Sequence, residues 1–185
     1  MSMYLGDICI FKRRPYAINR IGKTITVGLD DLNAWLVAEP PESDSEPLLG
    51  GNKKFLVESE GKLLLVVIYE FLGFASGDSV FWIKVFRLDE KARKWVKLTS
   101  LGDRVLFLGN GCLFSASASE LSVTKGNCVI FIDDAFLHFN CKNMQYGNCV
   151  FDLDQRQLTP LSDCPEYFNL FWPPTEWIGE CCVPK

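Results

Sequence analysis

In its most regular stretches the chain alternates apolar and polar positions at period two, the signature of half-buried β-strands. The clearest stretch is Val85–Phe86–Arg87–Leu88–Asp89, followed by a charged turn and Trp95–Val96–Lys97–Leu98. A second reads Val150–Phe151–Asp152–Leu153–Asp154, a two-residue Gln155–Arg156 turn, then Leu158–Thr159–Pro160–Leu161. A looser copy is Thr26–Val27–Gly28–Leu29–Asp30, then Trp35–Leu36–Val37. Each is a strand of β-branched and apolar residues, an Asp where the chain must turn, and a second apolar strand. Strand–turn–strand units repeated roughly every 60 residues are how a β-propeller writes its blades.

The intervening segments add strands to each hairpin. Asp7–Phe11, a turn through Lys12–Arg14, and Tyr16–Asn19 precede the first copy, giving four strands by Ala38. Residues Glu39–Asn52, rich in Pro, Ser, Gly and acid, read as a surface connection. The second unit begins at Phe55–Glu58, turns at Glu60–Gly61 and enters Lys62–Glu70. The unbroken apolar run Leu63–Tyr69 predicts a strand covered on both faces. A loop over Phe71–Ser79 leads into the clearest hairpin. The third unit holds strands at Val105–Leu108, Leu113–Ala116, Cys128–Ile132, Cys149–Leu153 and Leu158–Leu161, one more than a four-stranded blade needs. The small-residue run Ser115–Ser119 suits a place where chains approach closely, such as a central channel. No amphipathic helix of three or more turns is predicted.

The expected fold is therefore all-β: a partial β-propeller of about three four-stranded antiparallel blades. It forms one domain over 7–178, with blades at roughly 7–38, 53–98 and 103–161. An aromatic and Pro-rich tail over 162–178 is expected to lie extended along a blade, and 179–185 to be disordered. Propellers close with about four to eight blades, so three predict an open arc with apolar surface uncovered at its ends and possible self-association.

Composition narrows the function. The 185 residues are 48% hydrophobic and 13% aromatic, with a net charge of -4. That balance argues against a nucleic-acid partner, and the Lys12–Arg13–Arg14 cluster reads as a turn. No signal peptide is visible at the N-terminus, and the longest apolar run falls far short of the ~20 residues of a membrane helix. Eight cysteines without an export signal read as mostly buried thiols in the cytoplasm or nucleus.

Candidate chemistry is sparse. The single histidine, His138, sits among Phe136, Leu137 and Phe139, a poor start for a catalytic triad. His138, Cys141, Cys128 and Cys149 can be drawn as four metal ligands, but their spacing fits no common zinc module. Asp30–Asp31 and Asp133–Asp134 fall where strands end and read as turn initiators. Gly109–Asn110–Gly111 lacks the Lys and helix of a phosphate loop. No enzyme activity, metal or cofactor is implied, and a binding module is what remains.

Several motifs together resemble one family. Phe55–Leu56–Val57–Glu58–Ser59–Glu60–Gly61, Val85–Asp89 and Ser100–Leu101–Gly102–Asp103–Arg104–Val105–Leu106–Phe107–Leu108–Gly109 are similar to the plant F-box proteins with a KIB-type β-propeller, a domain-of-unknown-function family. Phe114–Ser119, Gly126–Asn127–Cys128–Val129–Ile130–Phe131 and Phe171–Trp172–Pro173–Pro174 continue the likeness in order, with Thr175 where the family often has another Pro. The resemblance implies a propeller that presents a substrate protein, while an N-terminal F-box docks onto the Skp1–cullin ubiquitin ligase. These residues resemble the C-terminal propeller part and contain no F-box, so Skp1 is not an expected partner of this chain alone. The alternative is a truncated paralogue without a ligase role, a competitor or an inert product.

Recognition is expected in long loops on a rigid sheet scaffold. The connections 39–52 and 99–103 between blades, and 71–79 and 134–148 within them, are assigned to one face, with short turns on the other. Phe71, Phe74, Phe136, Phe139 and Tyr146 are the candidate protein-binding residues, since aromatic side chains dominate many interfaces.

Overall fold

The computed structural model describes residues 5–28, 33–41, 53–72, 79–109, 112–132 and 148–170. They form three sheets. The first is the meander β1 (Leu5–Phe11), β2 (Arg14–Asn19), β3 (Thr24–Val27) and β4 (Ala34–Ala38). The second is the meander β5 (Lys53–Ser59), β6 (Lys62–Leu72), β7 (Ser79–Asp89) and β8 (Lys94–Lys97). The third contains β9 (Arg104–Gly109), β10 (Cys112–Ser117), β11 (Cys128–Ile132), β12 (Cys149–Asp152) and β13 (Gln157–Pro160). A 3-10 turn at Leu161–Asp163 and the single-turn helix α1 (Pro165–Phe168) follow. This is the partial propeller expected from the repeats.

The second sheet lies between the other two, which explains why β6 abandons alternation. Leu64, Val66 and Ile68 pack with Leu106, Leu108, Val129 and Phe131 of the third sheet. Leu63, Leu65 and Val67 pack with Phe11, Ile18 and Ala38 of the first. All six β6 residues are buried, and each contributes roughly 1.5–3 kcal/mol by leaving water.

The third sheet departs from the expected blade. Its order is β10-β9-β11-β12-β13, and β9 runs parallel to β11, with Val105 opposite Cys128 and Gly109 opposite Ile132. The cause lies in how the chain enters. Strand β8 stops at Lys97, opposite Phe86 and short of β7's beginning, and the Leu98 N–H donates to the Val85 carbonyl at 2.8 Å. The linker then reaches Arg104, whose guanidinium lies 3.6 Å from Glu60 in the β5–β6 turn. Strand β9 starts at that turn end and runs away from it. Strand β10 returns along the inner edge beside β5, and residues 118–127 cross back so that β11 starts beside the start of β9. The innermost strand is thus β10. The small-residue run sits where expected, since the Ser115 and Ser59 hydroxyls meet at 2.9 Å.

The two clear hairpins share one turn, in a frame the repeat alignment misses. Asp89 pairs with Lys94 across a four-residue turn, and Asp152 pairs with Gln157 across another. The Asp89 carboxylate accepts from Ala92 N–H at 2.9 Å. Asp152 accepts from Asp154 and Gln155 N–H at 2.8 and 3.0 Å. Each turn closes on an arginine at positive φ, 53° at Arg93 and 54° at Arg156. Asp152, not Asp154, is therefore the counterpart of Asp89, and the expected two-residue Gln155–Arg156 turn is a four-residue one.

The ends of the arc also differ from expectation. The outward face of the first sheet leaves Ile8 and Ile10 exposed, at 55% and 64%. The outward face of the third sheet is covered by its own chain. Val105, Phe107, Ile130 and Val150 pack with Ala118, Val123, Leu161 and Tyr167 of the crossover and the helical segment. The Tyr167 hydroxyl donates to the Lys125 carbonyl at 2.5 Å, and Glu166 accepts from Thr124 N–H and Oγ1 at 2.8 and 2.6 Å. Leu161, expected to end a strand, and the start of the expected tail form helical turns, Leu161–Asp163 and Pro165–Phe168, that serve as this cap. Pro165 starts α1, where its missing N–H costs nothing.

Candidate protein-binding site

Polar bonds between the sheets hold the arc in register. The Asp7 carboxylate of β1 accepts from Leu56 N–H of β5 at 2.7 Å and from Ile8 N–H at 2.8 Å. Burial pushes this carboxyl above its ordinary value, and the two N–H bonds oppose that rise. Buried Lys54 donates to the Arg20 carbonyl at 2.6 Å, with its pKa lowered by desolvation. Trp95 Nε1–H donates to Thr24 Oγ1 at 3.3 Å. Between the third sheet and the linker that enters it the hub is Asn127, at φ 54°. Its Oδ1 accepts from Leu101 N–H at 2.8 Å and its Nδ2 donates to Asp154 at 2.7 Å. Its backbone N–H and C=O bond to Arg104 and Leu153.

This scaffold has two distinguishable ends. Strands β6, β9 and β11 all start at the end marked by Glu60 and Arg104 and run away from it, so Leu72 and Ile132 finish at the far end. The two long connections, 73–78 and 133–147, leave from there. The link 99–103 does not belong with them. The sequence pattern groups it with the long-loop face, but it delivers the chain to the turn end because β8 releases it midway along β7.

Of the candidate binding residues, Phe71 is placed in β6, where its backbone pairs with Val80. It ends a strand and does not open a loop, because β6 continues to Leu72 and β7 begins at Ser79. Phe74, Phe136, Phe139 and Tyr146 lie outside the described residues, as do His138, Cys141, Trp172 and 179–185.

A cleft opens at the outer rim, between the β7–β8 edge of the second sheet and the β12–β13 turn of the third. Its volume is about 430 Å³, within the range of roughly 300–1,000 Å³ usual for ligand-sized sites. It exists because β8 covers only Phe86–Asp89, leaving Trp82–Val85 to border open space. Ile83, Val85, Leu98 and Phe151 supply apolar lining and exposed Arg156 stands beside them, while Lys84 and Lys97 border the cleft from strand positions that belong to the first-sheet face.

The described thiols are placed for packing. Cys128 stands opposite Asp152 and Cys149 opposite Phe131, so their side chains fall on opposite faces of the sheet and cannot share a metal. Burial pushes Cys128 up to about 11 and Cys149 up to about 12, which keeps both protonated and poorly nucleophilic. Among the described residues no three of His, Cys, Asp and Glu are grouped to hold a metal ion. No helix among them is long and apolar enough to cross a membrane.

With this geometry in place, comparison with known proteins is decisive. The sequence pattern of the KIB1-4 β-propeller family matches residues 1–152. The chain belongs to the KIB1-4 β-propeller family. Similar relatives include the F-box protein SKIP23 of Arabidopsis thaliana, 35% identical over 93% of this chain and 45% of the relative. A second Arabidopsis thaliana F-box protein is 32% identical over 93% of the chain and 44% of its own length. A putative F-box/kelch-repeat protein from the same plant is 27% identical over 95% and 46%. The chain spans slightly under half the length of these relatives. No solved structure matches it significantly.

Two residues of the Gly126–Phe131 stretch noted in the sequence now have physical reasons. Gly126 carries no side chain because a Cβ there would stand 2.5 Å from the Asp103 carbonyl carbon. Asn127 follows at positive φ, where its short amide suits the backbone and bonds the linker to the β12–β13 turn. Sequence reasoning misses the rim cleft, because the residues lining it come from three separate stretches. The early stop of β8 could have pointed to it, since Lys97–Leu98–Thr99–Ser100 ends the alternation.

Proposed function

We propose that this chain is a non-catalytic protein-interaction module that holds a partner for a ubiquitin ligase, with the F-box supplied from outside these residues. The observation that carries this reading is the likeness to F-box proteins over 93% of the chain. The scaffold suits such a role, with three sheets fixed by inter-sheet hydrogen bonds and both long connections leaving at one end. On this reading a propeller unit over 7–178, with blades at 7–38, 53–98 and 103–161, presents Phe71, Phe74, Phe136, Phe139 and Tyr146 to the partner. Skp1 is not bound by the chain alone, nucleic acid is not a partner, and the cytoplasm or nucleus is the working compartment.

A second reading has its own support in the exposed Ile8–Ile10 face. Here the chain competes for the relatives' partners without a ligase role, and associates with itself through that face.

The test is quantitative co-precipitation of the tagged chain and of a tagged F-box relative from the same plant cells. The first reading expects shared partners, Skp1 recovered only with the relative, and loss of those partners in the double variant Phe74→Ala, Tyr146→Ala without a change in melting temperature. Recovery of Skp1 with the chain alone, or an equal loss of partner from Lys91→Ala at the turn end, overturns it. Self-association without shared partners favours the second reading.

A further inference from the structure

The rim cleft holds an unfinished strand ladder, and the inference drawn from it rests on reading the chain as a protein-binding module. Strand β7 is 11 residues long, yet β8 pairs with only its last stretch, Phe86–Asp89. The Leu98 N–H donates to the Val85 carbonyl at 2.8 Å, so the backbone groups of Val85 point to the β8 side. In a strand the N–H and C=O of one residue lie on the same side, and that side alternates from residue to residue. Strand β7 pairs with β6 in unbroken register from Ser79 to Arg87. Ser79, Phe81 and Ile83 therefore turn their N–H and C=O to the β8 side as well. Among the described residues no strand meets them there. The Trp82–Val85 stretch borders the cleft of about 430 Å³.

Backbone geometry selects what can enter. The ladder stops at Leu98 because the linker turns back from there toward Arg104, so the open edge begins where β8 would have continued. Such an edge bonds to a segment that lies extended and keeps its N–H groups, which excludes proline at the pairing positions. The Ile83 and Val85 side chains face the third sheet, with Phe151 and Leu153 across the cleft. A residue opposite Ile83 in an antiparallel pair would point its side chain onto that apolar floor and its N–H at β7. The edge is also recessed, between Leu98–Leu101 on one wall and Leu153 and Arg156 on the other. A single strand suits this slot, whereas the β7 edge of a second copy, recessed in the same way, cannot reach into it. We propose that an extended segment of a partner protein, apolar at alternate positions, pairs antiparallel to β7 over Ser79–Ile83 and continues the ladder that β8 leaves.

The test uses the purified full chain and a fluorescein-labelled, end-capped hexapeptide of alternating threonine and valine, followed by fluorescence anisotropy. Binding is expected with a Kd on the order of 100 μM or tighter. Two N-methylated forms of the peptide decide the mode. With the valines on the floor their N–H groups face β7, so methylating the valines should weaken binding about tenfold or more. Methylating the threonines, whose N–H groups face away, should leave it within about twofold. Thr99→Trp brings an indole into the cleft from an exposed position. It should weaken binding about tenfold while the melting temperature stays within about 2 °C of the parent. Lys91→Trp, on the β7–β8 turn and outside the cleft, should leave binding unchanged. The inference is overturned if the peptide fails to bind at about 1 mM, if the two methylated forms bind alike, or if a proline–valine counterpart binds equally well. It is also overturned if Lys91→Trp weakens binding as much as Thr99→Trp. A dimer of the chain alone, seen in sedimentation and abolished by Thr99→Trp, overturns it too, because a second copy then holds the edge. Because the peptide assay needs no ligase and no cell extract, its failure is separable from failure of the co-precipitation result.

Discussion

Replacing Asn127 by alanine should loosen the tie between the third sheet and the linker that enters it. Three losses add. The Leu101 N–H, buried and satisfied at 2.8 Å by Asn127 Oδ1, loses its acceptor, which costs about 1–3 kcal/mol. The bond from Asn127 Nδ2 to Asp154 at 2.7 Å disappears, at roughly 0.5–1.5 kcal/mol. Alanine must also hold φ 54°, where it is about 1 kcal/mol worse than asparagine or glycine. The total is about 2.5–5.5 kcal/mol. For a chain of this size it corresponds to a melting temperature lower by roughly 5–20 °C. Urea titration followed by the fluorescence of buried Trp95 measures the loss at an unchanged m-value. Asn127→Gly separates the contributions: it keeps the hydrogen-bond losses, removes the backbone strain, and should recover about 1 kcal/mol. If the alanine variant stays within about 0.5 kcal/mol of the parent, or the glycine variant is the less stable of the two, the hub does not work as described.

Other outcomes follow from the same contacts. Gly126→Ala should cost at least about 2 kcal/mol in urea titration, because the new Cβ meets backbone at 2.5 Å and not a movable side chain; a near-neutral variant would contradict the packing. Asp103 is held below its ordinary value by the Ser117 hydroxyl and then by the Ser119 hydroxyl. Its contribution is therefore complete above the unfolded value of 3.8 and is lost as pH falls through the lower folded value. Asp103→Asn should accordingly flatten the acid limb of the stability profile, and an unaltered limb would count against the contact. The exposed Lys12–Glu90 pair at 2.5 Å should matter little, with Lys12→Met leaving the melting temperature within about 2 °C of the parent. Maleimide labelling at neutral pH should leave Cys128 unmodified until denaturant is added, since burial keeps its thiol protonated; rapid labelling of the folded chain would refute that burial.

How far the sequence speaks depends on whether a signal is local. The strand count of the first two sheets was legible because alternation, turn chemistry and the Leu63–Ile68 run are each written within a few residues. The burial of β6 on both faces could be read from composition alone, since only a strand without a wet side tolerates six successive aliphatics. The parallel β9–β11 pair was not legible. It follows from where Lys97 leaves the sheet and from the Glu60–Arg104 contact, and neither leaves a periodic trace. The frame of the second hairpin was misread because Val150–Asp154 matches Val85–Asp89 by identity, whereas the turn selects Asp152 by hydrogen bonding to Asp154 and Gln155. The cap on the third sheet escaped for a related reason: Leu161 reads as the end of a strand and Tyr167 as a tail residue until the helical turns bring them onto Phe107 and Ile130. For the binding surface, the long connections were visible as insertions, while the rim cleft depends on three distant segments meeting.

The unequal ends of the arc set a limit on stoichiometry. A subunit polymerises when one face fits a different face on its neighbour, for then every addition leaves a fresh acceptor. Here the outward face of the third sheet is closed by Leu161 and Tyr167, and the first sheet alone offers bare isoleucines among the described residues. Association through the Ile8–Ile10 face alone would set that face against the same face on a twin, so by this contact raising the concentration would saturate at a dimer.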